Sequence, residues 1–135
     1  MTIRILLVDN EPAVPKLVGI YLQDLLDDYE IMTLTSGEGA IDRILLLIRG
    51  EYREKLPDIT VLDLKMPGMD GLEVANKLTM MGLENIYILT AYLSPDLIEA
   101  AQKAGAKGIM KKSEGFKDVA QQIADIARSI QAGPS

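Results

Sequence analysis

Five short apolar runs recur along this chain, each separated from the next by a stretch of helical length, and that alternation limits the folds open to it. The runs occupy residues 3–8, 31–34, 59–62, 86–89 and 108–110. The first, third and fourth are nearly unbroken in Ile, Leu and Val, as expected of strands covered on both faces. Between the first two runs, Val14, Leu17, Val18, Tyr21, Leu22 and Leu25 recur at helical spacing over residues 12–26, where Pro12 and Pro15 are tolerable only in a first turn. A second helix is expected over 38–49, and a third over 72–81, stopped by Gly82. Ser94-Pro95-Asp96 reads as an N-cap, a proline at the first helical position and a first-turn acid, opening a fourth helix that ends near Gly105. The last helix spans about 116–130.

Strand and helix alternating five times imply right-handed crossovers and a parallel sheet. The expected class is therefore α/β: a doubly wound (βα)5 five-stranded sheet of the flavodoxin-like type, with strand order 2-1-3-4-5. A length of 135 residues suits one domain, placed at 1–131, with 132–135 as a short C-terminal tail. Residues 50–58 are long for a connection in such a fold. An extension of the second helix is favoured there over a charged surface loop, because Glu51, Arg53, Glu54 and Lys55 are acceptable helix formers.

Composition removes several chemistries. The net charge of -6 argues against direct nucleic-acid binding and against docking on an anionic membrane. With no cysteine and no histidine, thiol nucleophiles, histidine bases and imidazole or thiolate metal sites are excluded. Any metal must be held by oxygen, which points to a hard cation such as Mg2+. No apolar run approaches a membrane span and the N-terminal apolar stretch, which ends at Asp9, is too short for a signal peptide, so a cytoplasmic location is expected.

In open parallel sheets the site lies beyond the carboxyl ends of the strands. There the sequence places Asp9, Asn10 and Glu11 after the first run, Asp63 after the third, Thr90 after the fourth, and Lys111 and Lys112 after the fifth. Polar residues are ordinary in turns and caps. Asp63 resists that reading best, because it sits within an apolar stretch between Leu62 and Leu64, where a carboxylate is costly unless paired or metal-bound. Two carboxylates with neighbouring oxygens suit Mg2+, and a carboxylate is a competent nucleophile towards phosphorus. A lysine and a hydroxyl nearby would neutralise the transferring group.

These segments resemble the receiver domains of response regulators in two-component signalling, over nearly the whole chain. Asp9-Asn10-Glu11-Pro12 resembles the family's opening acidic motif, and Leu62-Asp63-Leu64-Lys65-Met66-Pro67-Gly68-Met69-Asp70-Gly71 its phosphoacceptor segment. Leu89-Thr90-Ala91 resembles the fourth-strand hydroxyl motif, and the segment from Gly105 to Lys112 places the family's lysine at Lys112. The resemblance implies Asp63 as phosphoacceptor, with Thr90 as the hydroxyl that bonds the phosphoryl group and Lys112 as its charge partner. It implies Mg2+ held by Asp9, Asn10, Asp63 and the Lys65 main-chain carbonyl. It also implies a histidine kinase or phosphotransfer protein as donor, a downstream effector protein, and partner binding or homodimerisation through the face of the fourth helix, fifth strand and fifth helix. Beyond self-phosphorylation and dephosphorylation, no enzymatic activity is expected.

Three positions depart from the family pattern. Asn10 replaces a second aspartate and removes a negative charge from the metal site; Glu11 beside it is read as first-turn helix decoration. Ile109 stands where the family has a switch aromatic, for which Tyr92 is a stand-in. Ser113 replaces the proline that usually follows the lysine. Rival readings are weaker. A flavin site would want a Ser/Thr/Gly-rich loop after the first strand. Ser36-Gly37-Glu38-Gly39 lacks the third glycine of a dinucleotide fingerprint, since position 42 is Asp. An aspartyl-phosphate phosphatase would need an aspartate where Lys65 stands. The remaining alternative is a degenerate receiver that binds partners without phosphorylation.

Overall fold

The computed structural model describes residues 1–50 and 55–133. Five parallel strands, β1 (Ile3–Val8), β2 (Tyr29–Leu34), β3 (Ile59–Asp63), β4 (Ile86–Thr90) and β5 (Gly108–Lys111), form one sheet in the order β2-β1-β3-β4-β5. Between and after them run α1 (Ala13–Leu22), α2 (Gly37–Ile48), α3 (Gly71–Met80), α4 (Pro95–Lys103) and α5 (Phe116–Gln131). The alternation predicted from the apolar runs is thus the architecture observed.

Alternate strand residues sort the core into two layers. Ile3, Ile5, Leu7 and Met110 pack with Val14, Val18 and Leu22 of α1 and Ile123, Ala124 and Ala127 of α5. Leu6, Val8, Leu62 and Ile88 pack with Ile44 of α2, Val74 and Leu78 of α3, and Ala101 of α4. Each fully buried Ile or Leu contributes roughly 1.5–3 kcal/mol, so both layers are needed to offset the ordering of the chain. Three helices start on side-chain caps: the Ser36, Asp70 and Ser94 oxygens accept the amides of Gly39, Glu73 and Leu97. In this parallel sheet each of the five helices follows a strand's carboxyl end, so the loops that carry the polar residues gather along one edge of the sheet.

Three expectations about element ends are corrected. Helix α1 ends at Leu22 rather than near residue 26, because Asp24 and Leu25 donate to Tyr21 and Leu22, a tighter turn than an α-helix. Strand β2 begins at Tyr29, since that residue already pairs in register with Ile3. Helix α2 does not extend as expected: it closes at Ile48, Arg49 caps it, and residues 55–57 are irregular. The rest of that expectation falls on residues 51–54, outside the described residues.

Candidate functional site

Asp9 follows β1, Asp63 closes β3, Thr90 closes β4 and Lys112 follows β5. Because β1, β3 and β4 are adjacent and parallel, their ends bring these groups into one place. Asp9, Asp63 and Thr90 are buried, at 2%, 4% and 4% exposure. The Lys112 Nζ lies 3.1 Å from Asp63 Oδ1 and 3.3 Å from Asp9 Oδ2, so one ammonium bridges both carboxylates. Such burial is tolerable only because opposite charges meet.

The electrostatics follow from that packing. Burial raises the Asp63 carboxyl above the ordinary aspartate range. The Lys112 hydrogen bond opposes the rise, and the neighbouring Asp9 charge adds to it. Burial works against the Lys112 ammonium, yet its hydrogen bond to Asp63 and the charges of both acids outweigh it and hold its pKa above the ordinary lysine value. Lys112 is therefore a fixed cation at neutral pH.

In front of Asp63 opens a cavity of about 380 Å³, walled by Glu11, Asp63, Lys65, Thr90, Tyr92 and Lys112 among others. Asp9 Oδ1 accepts the Glu11 amide at 2.9 Å, whereas its Oδ2 is buried with no hydrogen bond, only the Lys112 ion pair. A buried carboxylate oxygen with no hydrogen bond beside a second carboxylate, in a cavity that Lys65 also lines, fits a hard divalent cation. Among the described residues no three acidic side chains converge as a ready-made metal cluster. Two carboxylates with the balance of ligands from carbonyls and water suit Mg2+, which keeps several waters.

Two residues sit differently from the sequence reading. Glu11 is not in the first turn of α1: Pro12 is the N-cap, the helix starts at Ala13, and no acid occupies its first turn. The Asp9–Glu11 turn holds Glu11 at the cavity wall instead. Asn10 is exposed and does not line that cavity. A further contact escaped the sequence: Thr90 Oγ1 donates to the Tyr92 carbonyl at 3.1 Å and accepts the Tyr92 amide at 3.3 Å. Threonine hydroxyls bond the backbone two residues on at turns, but only weakly, so the sequence did not single this bond out.

Comparison with known proteins agrees with this fold. Residues 5–124 match the response regulator receiver domain. The chain is 34% identical over 113 residues to the transcriptional regulatory protein DesR of Bacillus subtilis, a match covering 83% of this chain and 50% of DesR. It is 30% identical over 108 residues to sporulation initiation phosphotransferase F of the same species, covering 78% of each. Among solved structures, the signal receiver domain of NarL from Mycobacterium tuberculosis superposes with a TM-score of 0.74 at 26% identity, covering 94% of this chain and 97% of that one. The chain spans about half the length of DesR and of YvfU, another of its curated relatives. With the parallel sheet, the acidic strand ends and the bridging lysine in place, the chain belongs to the response regulator receiver domains of two-component signalling.

Proposed function

We propose that this domain takes a phosphoryl group on Asp63 and that the modification changes which partner it binds. The observation that carries the reading is the paired burial of Asp63 and Asp9 around Lys112 at the mouth of an open cavity. An Asp63 carboxylate oxygen attacks phosphorus as the donor's bond to phosphorus breaks, and the leaving group departs with that electron pair. Lys112 pairs with the anionic phosphoryl oxygens, and the Thr90 hydroxyl turns from the Tyr92 carbonyl to bond one of them. Asp9, Asn10, Asp63 and the Lys65 main-chain carbonyl are the proposed holders of Mg2+, the cation this family uses. Bound there, Mg2+ supplies neutralising charge to the phosphoryl oxygens. With Asn10 uncharged and turned to solvent, its share is one carbonyl at most, and replacing it by aspartate tightens Mg2+ binding.

The donor is a histidine kinase or phosphotransfer protein, and the recipient of the signal is a separate effector or another part of a longer protein. Self-phosphorylation of Asp63 and hydrolysis of the resulting acyl phosphate are the domain's own contribution to chemistry. The face of α4, β5 and α5 is the proposed site of effector binding or self-association. Among the described residues no helix is long and apolar enough to cross a membrane.

Incubation with acetyl phosphate and Mg2+, followed by intact-mass measurement, tests the reading. One added phosphoryl group, lost in Asp63→Asn and on chelation of Mg2+, is the expected result. No gain, or a gain that survives Asp63→Asn, contradicts it and favours a receiver that works by binding alone.

A further inference from the structure

Ser36-Gly37-Glu38-Gly39, which fails as a nucleotide motif, opens α2 directly against the loop that follows Asp63. Glu38 Oε1 accepts the Met69 amide at 3.1 Å. Two glycines let the segments close. A Cβ on Gly37 would lie 2.4 Å from Val74 Cγ2 and 3.1 Å from Met69 Cβ, and a Cβ on Gly68 would lie 2.7 Å from Glu38 Oε1. Gly68 also has φ +78, a conformation side chains disfavour.

The loop is tied at its ends: Leu64 donates to Leu89 of β4 at 2.9 Å, and Gly71 donates back to Leu64 at 2.9 Å. Residues 65–69 form an arch between those ties, with Met66 packed into the core beneath it. Among the described residues, the Glu38–Met69 bond is the hydrogen bond that fastens this arch to another element.

We infer that Glu38 is a positioning residue for the phosphoryl-accepting site: by holding the Met69 amide, it fixes the arch from which the Lys65 carbonyl is presented to the cation. The inference rests on the reading of Asp63 given above. The competing role for Glu38 is that of an acid in the first turn of α2, favourable to the helix dipole through charge alone. The two roles separate on substitution, because glutamine keeps the accepting oxygen and loses the charge, whereas alanine loses both.

The test compares wild type, Glu38→Gln and Glu38→Ala in three measurements: Mg2+ affinity by calorimetric titration, hydrogen exchange at the Met69 amide, and phosphorylation rate with acetyl phosphate. Glu38→Ala is expected to bind Mg2+ about fivefold more weakly, the scale of one net hydrogen bond, and to lose protection at Met69. Glu38→Gln is expected to stay near wild type in both, and the rate deficit of Glu38→Ala is expected to vanish at saturating Mg2+. Wild-type Mg2+ affinity in Glu38→Ala overturns the inference, as does an equal loss in both variants, which would assign the effect to charge. A wild type that gains no phosphoryl group at any Mg2+ concentration overturns the Asp63 reading and this inference with it. Unequal phosphorylation with unchanged Mg2+ affinity overturns the inference alone.

Discussion

Helix α5 buries Val119, Ala120, Ile123, Ala124 and Ala127 against the sheet, whereas α4, on the other face beside β5, buries Ala101 alone among its nine residues. The strand between them shares the asymmetry. Met110 faces the α5 layer at 1% exposure, while the half-buried Ile109 borders a cavity of about 220 Å³ beneath α4, walled by Leu93, Ile98, Ala101 and Ala106 among others. Small residues line the hollow: alanine at 101 and 106 leaves space that Ile109 does not fill. Ile98 and Leu93 stay exposed at its rim, at 41% and 45%. The α5 side is anchored and the α4 corner is loosely packed, and the Thr90 hydroxyl at the site holds the Tyr92 backbone in the loop that leads to α4.

The largest effect that could break this comparison is thermodynamic. Truncating Ile123 to alanine removes a fully buried side chain and should cost about 2–5 kcal/mol. Truncating Ile98 should stay within about 0.5 kcal/mol. Urea denaturation of both variants decides the matter, and similar losses would show that α4 is as firmly seated as α5.

The charged centre offers a smaller effect. Folding raises the Asp63 pKa, so the folded chain holds that proton more tightly than the unfolded chain. Asp63 thus favours folding when protonated, and its contribution is lost as pH rises through the carboxylate range. Asparagine removes the buried like charge beside Asp9 while Lys112 keeps Asp9 as its partner. Asp63→Asn should therefore melt a few degrees higher at neutral pH. The advantage should shrink towards zero as pH falls below the ordinary aspartate range. A lower melting temperature at neutral pH would mean that the Lys112 pair outweighs the cost of burial.

The smallest effect sharpens the account of the hollow. Ile109→Phe should be neutral or gain up to about 1 kcal/mol by filling it, whereas a tightly packed site would lose about 1–3 kcal/mol on enlargement. Chemical denaturation at matched conditions separates these outcomes.

Much of this architecture was legible in the sequence for a physical reason. Strands covered on both faces must be apolar throughout, so β1, β3 and β4 announce themselves, and a carboxylate inside such a run, as at Asp63, stands out. Edge strand β2 was legible only from Ile31 on, because Tyr29 and Glu30 interrupt the apolar pattern on a half-exposed strand. The end of α1 was hidden because Leu25 and Leu26 continue the helical spacing after the backbone has already turned. At the site, strand-end position pointed to Asp9, Thr90 and Lys112. The place of Glu11 depended on where the helix began, one residue of local geometry that periodicity does not resolve. Glu38 was illegible, because its partner Met69 is 31 residues away and bonds through its backbone.

The central claim is that Asp63, of all the carboxylates in the chain, accepts the phosphoryl group. An acyl phosphate on aspartate is reduced by borohydride to homoserine, so peptide mass mapping after phosphorylation and reduction reports the modified residue directly. Homoserine is expected at position 63, with no other carboxylate reduced, dependent on Mg2+ during phosphorylation. Homoserine at Asp9 or another aspartate, the corresponding five-carbon alcohol at Glu11 or another glutamate, or no reduced residue at all after a confirmed gain in mass, would contradict it.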